Sequence, residues 1–194
     1  MRVNPVPGGR RRGRPQPFSM NSSALTPSVQ PGTPHVIERW KPSVTVAAVV
    51  ERDGRFLMVE EHTAEGLRLN QPAGHLDPCE TPAQAVMREA FEETAARVEA
   101  HALVGVYLSR HRGAVEGVDV TYLRFAFDCA LQSIDPDGTL DTGIVRVLWL
   151  TPQELRARRA EHRSPLVMQV VDDWLAGRRF PLDLVFTHPD VLGA

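Results

Sequence analysis

The chain has 194 residues, with 22 Lys and Arg against 24 Asp and Glu, and only 2 cysteines. That length holds one domain with a sizeable core plus tails, while so few cysteines exclude a disulfide framework and no stretch reaches the ~18 apolar residues of a membrane span. Arg2, Arg10, Arg11, Arg12 and Arg14 fall in an acid-free N-terminal stretch, so residues 35–194 carry 17 basic and 24 acidic side chains and lack the cationic surplus of a nucleic-acid groove.

Residues 1–34 are rich in Pro, Gly, Ser and Arg without hydrophobic period, and read as a disordered basic tail in which Met20 offers a second start. A folded domain is expected over residues 35–187, with a short tail at 188–194. Ser43–Val50 (SVTVAAVV) reads as a strand buried on both faces, and Arg55–Val59 as its hairpin partner across Asp53-Gly54. Asn70–Gly74 reads as a glycine-bearing loop. It leads to Thr81-Pro82 with Gln84, a capping box that starts a helix over Pro82–Thr94.

Leu103–Leu108, Val120–Phe127 and Val145–Leu150 are further strands, and Asp135-Pro136-Asp137-Gly138 is a turn. Thr151-Pro152 with Glu154 starts one late helix, and Ser164-Pro165 starts another. In the latter Leu166, Val167, Val170, Val171, Trp174 and Leu175 recur at helical spacing until Gly177. The pattern gives a mixed sheet with helices packed on it, an α/β (α+β) domain.

The helix after Gly74 carries the chemistry. On a wheel of about 100° per residue from Val86, the residues Ala83, Met87, Ala90, Phe91 and Thr94 fall at about 40–140°. Glu92, Glu89 and Glu93 fall at about 240°, 300° and 340°, so a packed side opposes three crowded carboxylates. Like charges at such spacing repel unless a cation offsets them, and Mg²⁺ takes oxygen ligands while sharing itself with substrate phosphates.

Gly74, Glu80, Arg88, Glu89, Glu92 and Glu93 stand at the spacing of the Nudix box, and the segment resembles that motif at every charged position. Ala95 departs from it where the family has glycine. An alanine pays about 1–2 kcal/mol to turn left-handed there, so the helix either continues toward Arg97 or turns differently. Trp40-Lys41-Pro42, Asn70-Gln71-Pro72-Ala73-Gly74-His75-Leu76, Leu123-Arg124-Phe125 and Arg163-Ser164-Pro165-Leu166-Val167 extend the resemblance to the NudJ branch of bacterial phosphatases.

The resemblance implies an α-β-α sandwich with a mixed central sheet. It also implies a phosphohydrolase of nucleoside tri- and diphosphates that extends to a thiamine-precursor pyrimidine pyrophosphate. Glu89, Glu92 and Glu93, with the Ala73 carbonyl, would ligate Mg²⁺, with Mn²⁺ as a substitute. Glu92, Glu93 or a loop acid such as Glu116 or Asp119 would accept the proton of water. Arg88 and Glu80 would pair and, with Gly74, support the loop.

Lys41, Arg39 and Arg124 are candidates for phosphate charge, with surface or pairing roles as the alternative. Asn70, Gln71 and His75 are candidates for the pocket mouth, with loop hydrogen bonding as theirs. Tyr122, Tyr107, Phe56 and Phe125 are candidates for a base slot or for core. Cys79 reads as incidental, since no paired histidine activates it. The competing functions are an ADP-ribose or dinucleotide pyrophosphatase and a non-catalytic nucleotide-binding regulator. The expected partner is a small nucleoside phosphate, in a cytoplasmic monomer or homodimer with no stable nucleic acid and no membrane.

Overall fold

A computed structural model describes residues 40–112 and 119–193; the expected tail at 1–34, Arg39 and Glu116 lie outside the described residues. In chain order the elements are β1 (Ser43–Arg52), β2 (Arg55–Thr63), β3 (Gly66–Asn70), β4 (Ala73–His75), α1 (Pro82–Thr94), β5 (Ala96–Arg112), β6 (Asp119–Ile134), β7 (Ile144–Leu150), α2 (Pro152–Ala157) and α3 (Leu166–Leu175). Among the described residues no helix is long and apolar enough to cross a membrane.

β1 is the centre, and its apolar run is used on both faces. Val46, Ala48 and Val50 cluster with Ala85, Val86 and Ala90 of α1. Ala47 and Val49 cluster with Val167, Met168, Val170 and Val171 of α3. Each fully buried Val or Met stabilises by about 1.5–3 kcal/mol, so the two helices are held to opposite faces of one strand. This is the helix–sheet–helix layering expected.

The sheet is mixed. β1 runs parallel to β6, with Thr45↔Arg124 and Val46↔Phe125 in register, and antiparallel to β4, with Val46↔Gly74. β5 and β6 form a long antiparallel ribbon from Ala96↔Ile134 to Arg112↔Asp119. β2 leaves β1 through a two-residue turn in which Asp53 and Gly54 both have positive φ (54° and 75°), as a tight hairpin demands. It then pairs with β3 and β7.

Three local readings need correction. Asn70–Gly74 is not simply a loop: β3 and β4 enter the sheet there, drawn in by pairing with β2 and β1. β5 and β6 run well beyond Leu103–Leu108 and Val120–Phe127, because each supplies the other's hydrogen bonds. α3 starts one residue after Pro165, and Ser164 Oγ accepts from the Leu166 N–H at 3.2 Å.

At the end of α1, Ala95 takes the left-handed conformation of a glycine (φ 57°, ψ 13°), and the chain neither continues the helix nor turns differently. Its N–H bonds the Phe91 carbonyl at 2.8 Å and its carbonyl accepts from Asp135 N–H at 2.9 Å. A Cβ added at Gly138 would sit 2.4 Å from the Ala95 methyl, so a glycine in the β6–β7 turn makes the room.

Candidate active site

The site forms where β4 meets α1. Gly74 faces Glu89 so closely that an added Cβ would lie 2.1 Å from its carboxyl group. The residue must therefore be glycine for the carboxylate to reach the strand. Ala73, one position earlier, turns its N–H away from β1 and donates to Glu93 Oε2 at 2.8 Å. In a strand the carbonyl of a residue points to the same edge as its N–H, so the Ala73 carbonyl also faces this edge.

Thr81 caps α1 through a complete capping box, accepting from Gln84 N–H at 3.0 Å while Gln84 Oε1 accepts from Thr81 N–H at 2.8 Å. That fixes the start of the helix and the phase of its glutamates. Arg88 then ties helix to loop. Its Nε donates to Glu80 Oε2 at 3.0 Å, and its Nη2 to Glu80 Oε1 at 2.7 Å and to the His75 carbonyl at 3.0 Å. Its Nη1 donates to Glu89 Oε1 at 2.8 Å and Glu92 Oε2 at 2.9 Å. A guanidinium has five N–H donors, and all five are engaged. Glu80 in turn accepts from Asp77 N–H at 2.7 Å.

Burial separates the three glutamates. Glu89 and Glu93 are buried against β4, whereas the Glu92 side chain is 39% exposed. Burial pushes the Glu93 carboxyl up to about 8, with Glu61, Glu89 and Asp141 adding repulsion and the Ala73 N–H opposing it. Burial also raises Glu89, against the pull of Arg88. The Arg88 hydrogen bonds hold Glu80 below the usual carboxylate range, and Glu80 in turn raises Arg88.

Among the described residues no three acidic, imidazole or thiol groups already enclose an ion. The donor set still suits a hydrated Mg²⁺, which needs only one or two carboxylates and keeps several waters. Two buried carboxyls that resist ionising, beside a glycine cradle that a Cβ would fill, are the groups a divalent cation would favour in the charged form.

Beside β4, a cavity of about 300 Å³ opens between the sheet and the start of α3. Of the residues singled out in the sequence, Asn70, His75, Arg124, Ala73 and Gly74 line it. Gln71 does not: it is buried and donates to the Val167 carbonyl at 2.7 Å, tying the β3–β4 connection to α3. Lys41 is exposed and off the cavity wall. Asp119 pairs with Arg110 at the start of β6.

Tyr122 lines the cavity with its ring 6.4 Å from that of His75. Phe56 packs edge-on to Trp174, Tyr107 donates to Asp173 at 2.9 Å, and Phe125 packs against the α1 core. Cys79 is exposed, with φ 67°.

Sequence reading missed Thr45, Glu61 and Arg163 in the cavity wall, and Asp141, whose charge bears on Glu89 and Glu93. A polar threonine inside the run SVTVAAVV was a visible signal for the first. Asp141 arrives through tertiary structure, its N–H bonded to the Glu92 carbonyl at 2.9 Å.

Three carboxylates on one helix, an arginine that braces them and a polar cavity beyond make this the candidate site. The NUDIX domain family model matches residues 39–170. Phosphatase NudJ of Escherichia coli K12 is 36% identical over 147 residues, covering 75% of this chain and 92% of that protein. The structure of a NUDIX hydrolase from Nitrosomonas europaea superposes with a TM-score of 0.70 at 48% identity, over 76% of this chain and 98% of the other. An ADP-ribose pyrophosphatase from Streptococcus suis shares the fold alone, at 16% identity and TM-score 0.52, over 71% of this chain and 93% of that one.

The chain belongs to the Nudix family. It is a hydrolase of phosphoanhydride bonds in nucleotide-like substrates, and the expected likeness to NudJ phosphatases is borne out.

Proposed function

We propose that the chain is a Mg²⁺-dependent phosphohydrolase of nucleoside tri- and diphosphates that releases orthophosphate. The observation that carries the reading is the packing of Glu89 and Glu93 against β4 beside Glu92, with a cavity starting at the same strand. When bound, Mg²⁺ supplies positive charge to the phosphate oxygens and lowers the cost of deprotonating water.

The chain's own groups do the rest. Glu89, Glu92 and Glu93 would hold the ion, with the Ala73 carbonyl facing the same edge. Water attacks phosphorus, a new P–O bond forms, and the bridging P–O bond breaks with its electrons on the departing phosphate. The water proton passes to Glu92, the most exposed of the three, or to Glu93. Arg88 acts as a positioning residue, because every one of its N–H groups is already committed within the protein.

The test is product analysis on purified protein with Mg²⁺ and a panel of nucleoside tri- and diphosphates, ADP-ribose and the pyrimidine pyrophosphate. Orthophosphate from the nucleoside di- and triphosphates supports the reading. Activity confined to ADP-ribose refutes it.

A further inference from the structure

Two buried polar groups in the cavity wall lack partners among the described residues: Thr45 Oγ1 and Arg124 Nε. Thr45 is 4% exposed and Arg124 9%. They are cross-strand neighbours on β1 and β6, and His75 on β4 completes the row. Among the described residues the one hydrogen bond of the Arg124 side chain is a long one, Nη1 to Asn70 Oδ1 at 3.4 Å. Among the described residues Arg124 makes no salt bridge; Glu61 acts on it from farther off and is shared with Arg163 at 3.3 Å.

A buried guanidinium without a carboxylate is costly, and burial pulls Arg124 down to about 10. The cost is removed when an anion accepts from it. Thr45 and Arg124 are adjacent in the cavity wall and each carries an unpartnered donor, and a charged acceptor seated against both side chains would compensate the guanidinium. A base edge does not fit as well. It would leave the positive charge uncompensated, and it brings donors of its own against a donor-rich floor.

We propose that Thr45 and Arg124 form a subsite for the free terminal phosphoryl group of the substrate. This rests on the phosphohydrolase reading and sharpens it: the substrate class is phosphate chains that end in a phosphomonoester. Ala73 borders both regions, bonding Glu93 through its N–H and lining the cavity, so a phosphate chain can run from the acidic helix to the buried floor. A monoester presents three free oxygens and ends the chain. A diester presents two and must continue. The base then plays no part in the grip, and different bases are accepted alike.

The experiment compares ADP with its β-methyl ester, and ADP with GDP, CDP and UDP, on wild type, Thr45→Val, Arg124→Gln and Arg124→Lys. Wild type should prefer free ADP by about 10- to 100-fold in kcat/KM, the range of hydrogen bonds to a charged group. Thr45→Val and Arg124→Gln should lose most of that preference through KM, equally for all four bases, and Arg124→Lys should recover part of it. In EDTA, inorganic pyrophosphate should raise the Tm of wild type and not of Thr45→Val.

Variants that keep the full preference for ADP, or a loss confined to one base, overturn the assignment. So does an equal Tm rise with orthophosphate, which would make the site one for free product. If wild type cleaves nothing while the pyrophosphate effect on Tm is present and lost in Thr45→Val, the subsite stands and the hydrolase reading falls.

Discussion

Glu93 is a carboxyl whose folded environment opposes its charge, and that has a measurable cost. Raising it from 4.5 to about 8 disfavours the ionised form by on the order of 5 kcal/mol, at 1.36 kcal/mol per pH unit. Between those two values the folded protein keeps a proton that the unfolded chain has released. Stability therefore falls as pH rises through that window, which is the reverse of a salt-bridged carboxylate. Glu93→Gln removes the titration while preserving size and an acceptor for the Ala73 N–H. Urea unfolding in EDTA at pH 5 and pH 8.5 should show wild type losing several kcal/mol more than the variant. Mg²⁺ at the higher pH should restore much of the wild-type loss and leave the variant unchanged. Parallel pH dependence in the two proteins would refute the reasoning, since every other carboxyl is common to both.

Ala95→Gly should stabilise the protein by about 1 kcal/mol by relieving the left-handed alanine. Gly138→Ala should cost about 1–3 kcal/mol, because its new methyl meets the Ala95 methyl, which has no rotamer to escape into; chemical denaturation reads both. Gly74→Ala should behave differently. The group it meets is the flexible end of Glu89, so Tm should drop little while Mg²⁺-dependent kcat falls at least about tenfold, as Glu89 is pushed off its position. A Gly74→Ala protein with wild-type kcat would contradict the placement of Glu89.

Much of this was legible because the local signals agreed. Thr81-Pro82 with Gln84 fixed the start of α1, and the wheel put Glu93 nearest Val86, where the structure buries it along with Glu89. The wheel did not reveal that the acidic side is itself half covered. That burial comes from β4, a three-residue strand paired with β1, and so short an element leaves no period to read.

The extension of β5 was readable in principle. Ala96, Val98 and Ala100 are buried while Arg97, Glu99 and His101 are exposed, an alternation that charge content hid. Arg124 was recognised as an arginine inside an apolar strand. Its companion Thr45 was not, because their adjacency depends on the parallel register of two strands far apart in the chain.

Metal binding by the acidic helix face is the central claim, and a Mn²⁺ titration followed by electron paramagnetic resonance tests it directly, with turnover of a nucleoside triphosphate measured on the same samples. Wild type should take up the ion with turnover rising in step. The combined Glu89→Gln, Glu92→Gln and Glu93→Gln protein should remain folded and lose both signals. Unchanged ion uptake and unchanged hydrolysis in that triple variant would contradict the account.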